Sequence, residues 1–229
     1  MSTADGAPRS ASALRLVLAA ERLFALHGID GVSLRQVAAE AGSANNSAVH
    51  YHFGSKDALV AAIFEHRLPQ IVRERRLLAT RDAPHDLRSR FEAHYLPVLT
   101  LAEATDNHYV SFVEQLQRAE RASGRQLIPL PEDGQRSNEE FRADLDELLG
   151  HLEQPLRRMR ILDAQALCLH AAADRERTVA RADDIPPFEL FVSSLFDGIT
   201  GFLAAPASDA TMRRLGPAAE ATSDSLRLL

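Results

Sequence analysis

A chain of 229 residues with 45% apolar and 25% charged side chains has the material for a real core and too balanced a composition for intrinsic disorder, so it reads as a globular protein. Its net charge of −6 excludes a protein that coats nucleic acid or anionic lipid over its whole surface, and no run approaches the ~20 apolar residues of a membrane helix. The single cysteine, Cys168, excludes intramolecular disulfides and four-cysteine zinc sites and fits a reducing, cytoplasmic compartment.

Residues 1–12, rich in Ser, Ala, Gly and Pro, lack the basic-then-apolar order of a secretory signal and read as a disordered tail. Beyond them apolar residues recur at spacings of three and four as far as Leu203, without period-two runs, so the expected fold is all-α. The spacing predicts a first helix over 13–27, with Leu16, Ala20, Leu23, Phe24 and His27 on one face. Gly28 closes it, because glycine takes the left-handed backbone that ends a helix, and Ile29 can fold back onto Phe24. Ser33 and Gln36 stand at capping-box spacing, each side chain serving an amide proton at the start of a second helix. Leu34, Val37, Ala38 and Ala41 face inward there, and Gly42 ends the helix early. Ser43, Ala44 and Asn45 form a tight connection to a third short helix over 46–53.

Ser55 caps a fourth helix, with Asp57 well placed in its first turn and Leu59, Val60, Ile63 and Phe64 as its apolar face. Pro69 is expected to kink or restart it. Further helices are predicted over 84–104, 108–121, 138–149, 155–180 and 188–205. The stretch 123–137, with Gly124, Pro129, Pro131 and Gly134, reads as an exposed loop, as does 181–187, and residues 206–229 as a tail.

The segment SLRQVAAEAGSANNSAVHYHFGSKDALV, residues 33–60, resembles the signature of the TetR family: a capped helix, a glycine turn, and an aromatic-His-Phe sequence before a Ser-Lys helix start. The resemblance extends upstream through Leu16, Ala20, Leu23, Phe24 and Gly28, so it covers most of 14–64. From Gly42 to Phe53 the chain is one residue longer than the commonest form of the pattern, and positions are therefore matched by counting back from Phe53. The resemblance implies an N-terminal three-helix helix-turn-helix DNA-binding domain over 13–60. It also implies a larger helical ligand-binding and dimerisation domain over 61–205. The expected function is a transcriptional regulator, a repressor that binds a palindromic DNA operator as a homodimer and is released by a small-molecule effector. The alternative is a helical adaptor that binds a ligand or a protein without DNA, which the polar recognition helix argues against.

A recognition helix must be short, held from below by a few apolar residues, and polar where it meets base edges. Val49 and Phe53 suit the first role. Asn45 and Asn46 carry the paired donor and acceptor that adenine needs in the major groove, and Ser47 serves either sense; the same asparagines also suit a helix cap. The family resemblance places phosphate contacts at His50, Tyr51 and His52, although His52 equally suits packing beside Phe53. Lys56 and the amides that open the fourth helix offer a second anion site, and Arg35 reaches the backbone or a base from the second helix. His50 and His52 point about 200° apart on a helix, with no acidic neighbour, so no metal site is expected there.

Beyond Pro69 no motif is as specific. The helices over 155–180 and 188–205 suit either packing within one subunit or a dimer seam. For the seam, the candidates are Leu162, Leu169, Ser194, Gly198, Gly201 and Phe202, with small residues allowing close approach. Phe91, His94, Tyr95, His108, Tyr109 and Phe112 mix aromatic area with polar tips on two successive helices and are candidates for an effector pocket or simply for core. Cys168, among Leu167, Leu169 and alanines, reads as an inert buried thiol. The chain carries no G-x-S-x-G elbow, H-E-x-x-H pair or Gly-rich phosphate loop, so no enzyme, no catalytic residue and no cofactor are expected.

Overall fold

A computed structural model describes residues 10–43, 48–79, 85–123, 130–181 and 184–215. Among them every regular element is a helix: α1 (Ala11–His27), α2 (Leu34–Glu40), α3 (Ala48–His52), α4 (Lys56–Ala79), α5 (Leu87–Leu101), α6 (Tyr109–Ser123), α7 (Glu132–Leu148), α8 (Leu156–Ala180), α9 (Phe188–Ala204) and α10 (Asp209–Met212). The all-α expectation holds, with a small N-terminal helix-turn-helix unit and a larger helical remainder.

The first four helices begin and end where their sequence signals stand. Gly28, at φ 73°, closes α1 and donates its N–H to the Phe24 carbonyl. The Ser33 capping box is complete: Gln36 N–H donates to Ser33 Oγ at 3.3 Å, and Ser33 N–H donates to Gln36 Oε1 at 2.8 Å. Ser55 Oγ accepts from Ala58 N–H at 3.1 Å at the start of α4. On α1, Leu16, Ala20 and Phe24 are buried, Leu23 is half-buried, and His27 is exposed at the last turn rather than inward.

Three expectations are corrected farther on. Pro69 does not restart α4, which runs through it as one helix of 24 residues. The missing amide removes a single backbone bond, and Leu68, Ile71 and Val72 around it are all buried and hold the helix in place. The predicted loop 123–137 gives way at its end to α7, which starts at Glu132 instead of 138; Glu132 and Asp133 favour the positive end of the helix. Gly134, taken as a breaker, is where α7 crosses α4: a Cβ there would sit 2.8 Å from Leu68 Cδ1. Past Pro206, Ser208 caps the short α10 by accepting from Thr211 N–H.

One hydrophobic cluster runs from Leu16 to Leu203. Helix α1 packs on α4 and α6, α4 on α5 and α7, α6 on α8, and α9 on α5 and α8. The division expected between residues 60 and 61 therefore falls inside α4. At its start Leu59, Val60 and Ile63 are buried, Phe64 packs on Tyr109 and Phe112 of α6, and Leu68, Ile71 and Arg75 face a cavity among the helices of the larger part.

Candidate nucleic-acid interface

Helix α3 is held from below by Ala48 and Val49, both buried, and Phe53 packs half-buried against the same core. The expected base readers Asn45, Asn46 and Ser47 lie outside the described residues. The others can be placed. Arg35 is exposed on α2, His50 and Tyr51 are exposed on α3, and His52 and Lys56 are half-buried. Tyr51 is 84% exposed, an unusual position for a large ring on a free surface. Its ring meets His52 edge-on at 5.1 Å.

Two of these side chains are partly committed to the fold. His50 Nδ1 lies 3.0 Å from the Gly54 carbonyl, which can only accept, so Nδ1 carries the proton. A phosphate contact through Nε2 then requires the charged ring. Lys56 Nζ donates to the Ile29 carbonyl at 2.8 Å and ties the start of α4 to the turn after α1. An ammonium has three donors, so this bond leaves others for an anion.

The larger part is joined to the head by a buried ion pair that sequence reasoning missed. Glu21 of α1 is 1% exposed and accepts from Arg67 of α4 in a fork, Nε at 2.8 Å and Nη2 at 2.7 Å. It also accepts the backbone N–H of His108 at 3.3 Å. Burial works against the Arg67 charge, but the hydrogen bonds and charge of Glu21 prevail and raise its pKa. Burial lowers that of His108. The signal was a carboxylate among apolar positions, since Val17, Ala20, Phe24 and Ala25 surround Glu21 at helical spacing and are buried.

Two more buried charges organise the far side. Arg175 pairs with Glu103 and donates to the Pro186 carbonyl at 2.9 Å. Glu176 caps α6 from α8, accepting from Val110 N–H at 3.1 Å and Ser111 N–H at 3.0 Å. Burial pushes its carboxyl up to about 6, against those amide bonds.

The six aromatic candidates for a pocket separate. Phe91, His94 and Tyr95 cluster with Phe141, where His94 stacks on Phe141 at 3.9 Å. Tyr109 and Phe112 pack with Phe64 instead, and His108 is half-buried beside Glu21. Phe91, His94 and Phe112 are core residues. Only Tyr95 and Tyr109 line a cavity of about 40 Å³, whose other polar lining is Arg75, Gln117 and Asn138. Leu68, Ile71 and Leu169 supply part of its apolar wall. Arg75 was not anticipated, because the run from Arg73 to Arg76 looks like a solvated face. Yet it follows Leu68, Ile71 and Val72 on one buried stripe, and its side chain donates to the His94 carbonyl at 2.9 Å and Asn138 Oδ1 at 3.2 Å.

Of the seam candidates, Leu169 is taken up by its own subunit, 6% exposed in the core, and so is not offered to a second copy. Leu162 is half-buried, and Ser194, Gly198, Gly201 and Phe202 are exposed on α9 with Leu190. Cys168 is fully buried and burial raises its thiol pKa, as expected of an inert thiol. Among the described residues no group of three or more His, Cys, Asp or Glu is placed to hold a metal ion, and no helix is long and apolar enough to cross a membrane.

Comparison with known proteins places this arrangement. Among solved structures, the chain resembles the fatty acid degradation regulator FadR from Bacillus halodurans, at 14% identity and a TM-score of 0.56, covering 87% of this chain and 100% of that one. It also resembles a TetR-like transcriptional regulator from Rhodococcus sp. RHA1, at 16% identity and a TM-score of 0.54, covering 86% and 96%. A third is a regulator of the same kind from Shewanella sp. PV-4, at 18% identity and 0.51, covering 84% and 97%. At these identities the likeness is one of fold. No curated protein sequence matches the chain. Residues 16–63, which span α1 to the first turns of α4, match the family described as bacterial regulatory proteins, tetR family. The N-terminal helix-turn-helix unit is thus similar to that of the tetR family of bacterial regulatory proteins, and the chain as a whole shares the fold of these solved regulators.

Proposed function

We propose that the protein is a repressor that binds a palindromic operator as a homodimer and leaves it when a small-molecule effector enters the helical part. In this reading Asn45, Asn46 and Ser47 read bases, while Arg35, His50, Tyr51, His52 and Lys56 hold the DNA backbone and set the register. One head reads few base pairs, so two are set about 34 Å apart on successive major grooves. The exposed face of α9, with Ser194, Gly198, Gly201 and Phe202, pairs the subunits, beside Leu162 of α8.

The observation that carries the proposal is the continuity of α4. It opens under the head with Leu59, Val60, Ile63 and Phe64 in the shared core, and about 24 Å beyond Leu59 on the same helix Arg75 lines the buried cavity. A rigid element that belongs to both parts can pass a displacement at one end to the other, with the Glu21–Arg67 pair fixing α1 to it. The effector acts only through its different affinity for the two arrangements, so effector and operator weaken each other's binding reciprocally.

The test is fluorescence anisotropy with a labelled palindromic duplex taken from the region upstream of the gene. Asn46→Ala is expected to relax base preference at one position of each half-site. Lys56→Ala is expected to weaken all sequences alike and flatten the salt dependence by about one phosphate. Because Lys56 also holds the Ile29 carbonyl, a thermal melt of that variant accompanies the measurement. Equal effects of both variants on every sequence would refute the assignment of base reading to Asn46.

A further inference from the structure

Among the described residues two arginines are buried, Arg75 and Arg175, and Arg175 meets Glu103 as the half-buried Arg67 meets Glu21. Arg75 is the exception. It is 8% exposed, and its hydrogen bonds go to the His94 carbonyl, Ser137 Oγ and Asn138 Oδ1 through Nε and Nη1 alone. Nη2 has no acceptor and the guanidinium no Asp or Glu partner among the described residues. A charge taken out of water ordinarily brings its counterion or gives up its proton, and a guanidinium does not give up its proton.

Arg75 lines the cavity, and the remaining walls suit a molecule with one charged end. Tyr95, Tyr109 and Gln117 provide polar tips, while Val98, Val113 and Leu130 extend the aliphatic lining. Burial raises the pKa of both phenols, which keeps them protonated as donors. The N–H groups of Nη2, beside phenolic donors, suit the two oxygens of a carboxylate, one held by the guanidinium and the other by a phenol.

We infer that the cavity at Arg75 receives the carboxylate of a small, otherwise apolar monocarboxylic acid, which completes the missing ion pair. This rests on the reading that the helical part takes a small effector, and it supplies that effector's chemical class. At about 40 Å³ the cavity holds little more than one water molecule. The acid's apolar body therefore enters only by parting the walls, and one wall is α4, the helix that carries the head.

The experiment is calorimetric titration of the full chain with octanoate and 4-phenylbutyrate, each compared with its primary amide, which keeps the shape and removes the charge. At least one acid is expected to bind on the order of 30-fold or more tighter than its amide. Arg75→Met should erase that preference and Arg75→Lys retain part of it. The inference is overturned if no acid binds, if acid and amide bind alike, or if Arg75→Met keeps the preference. The acid and amide comparison needs no variant, so a folding defect in Arg75→Met leaves the test decisive. Operator binding measured on the same samples separates the two claims. DNA binding without acid preference removes the cavity assignment alone, and acid preference without DNA binding removes the regulator reading alone.

Discussion

The head and the helical part of this protein are held together by different physics. In the head, the turns are fixed by neighbours in sequence: the Ser33 and Gln36 capping box, Ser55 on Ala58, and Gly28, Gly42 and Gly54 at positive φ. In the helical part and at its junction with the head the defining contacts are buried charges brought together from distant segments: Glu21 with Arg67 at the junction, and within the helical part Glu103 with Arg175 and Glu176 on the first amides of α6. Buried charges hold only while every partner is in place.

The difference is open to measurement by urea denaturation. The largest effect is expected for Glu21→Ala, which leaves the Arg67 guanidinium, 18% exposed, without its partner and the His108 amide without its acceptor. A loss of about 3 kcal/mol is expected. A loss no larger than that of a surface pair, such as Arg22 with Glu40, would break the distinction.

A smaller effect comes from Glu176. Its folded-state pKa is raised from 4.5 to about 6 by burial, so below about pH 4.5 the group favours the folded state, and that contribution is lost as pH rises through 6. The wild type should lose about 2 kcal/mol relative to Glu176→Gln across this window. A difference that does not vary with pH would mean that the amides of Val110 and Ser111 offset burial completely. Smallest is Ser33→Ala in the head, with an expected loss of about 1 kcal/mol from the lost cap. An effect there as large as that of Glu21→Ala would erase the contrast between the two regions.

That contrast also explains what was legible in the sequence. Gly28, the Ser33 box and the Ser55 cap are short-range signals, and the helices they bound were read closely. Gly134 shows where such reading fails, because its role is set by Leu68, which no local pattern connects to it. Pro69 misled for the same reason, since packing on both sides carries α4 through a residue that would break an isolated helix. Among the site residues, the exposure of Arg35, His50 and Tyr51 suits the surface role expected of them. In the larger part the aromatic candidates suit either a pocket or the core, and Phe91 and Phe112 are packed core. The informative residues were charged ones in apolar stripes, Glu21 and Arg75, whose significance depends on which partner the fold supplies.

The regulator reading requires the exposed edge of α3 and residues 44–47 before it to dock on duplex DNA. The most direct measurement is the affinity of the full-length chain for its own upstream region over a series of salt concentrations. The predicted result is tight binding that falls linearly on a log–log plot, by about 0.9 for each phosphate neutralised. The contrary result is a folded protein, verified by circular dichroism, that binds no upstream fragment even at low ionic strength.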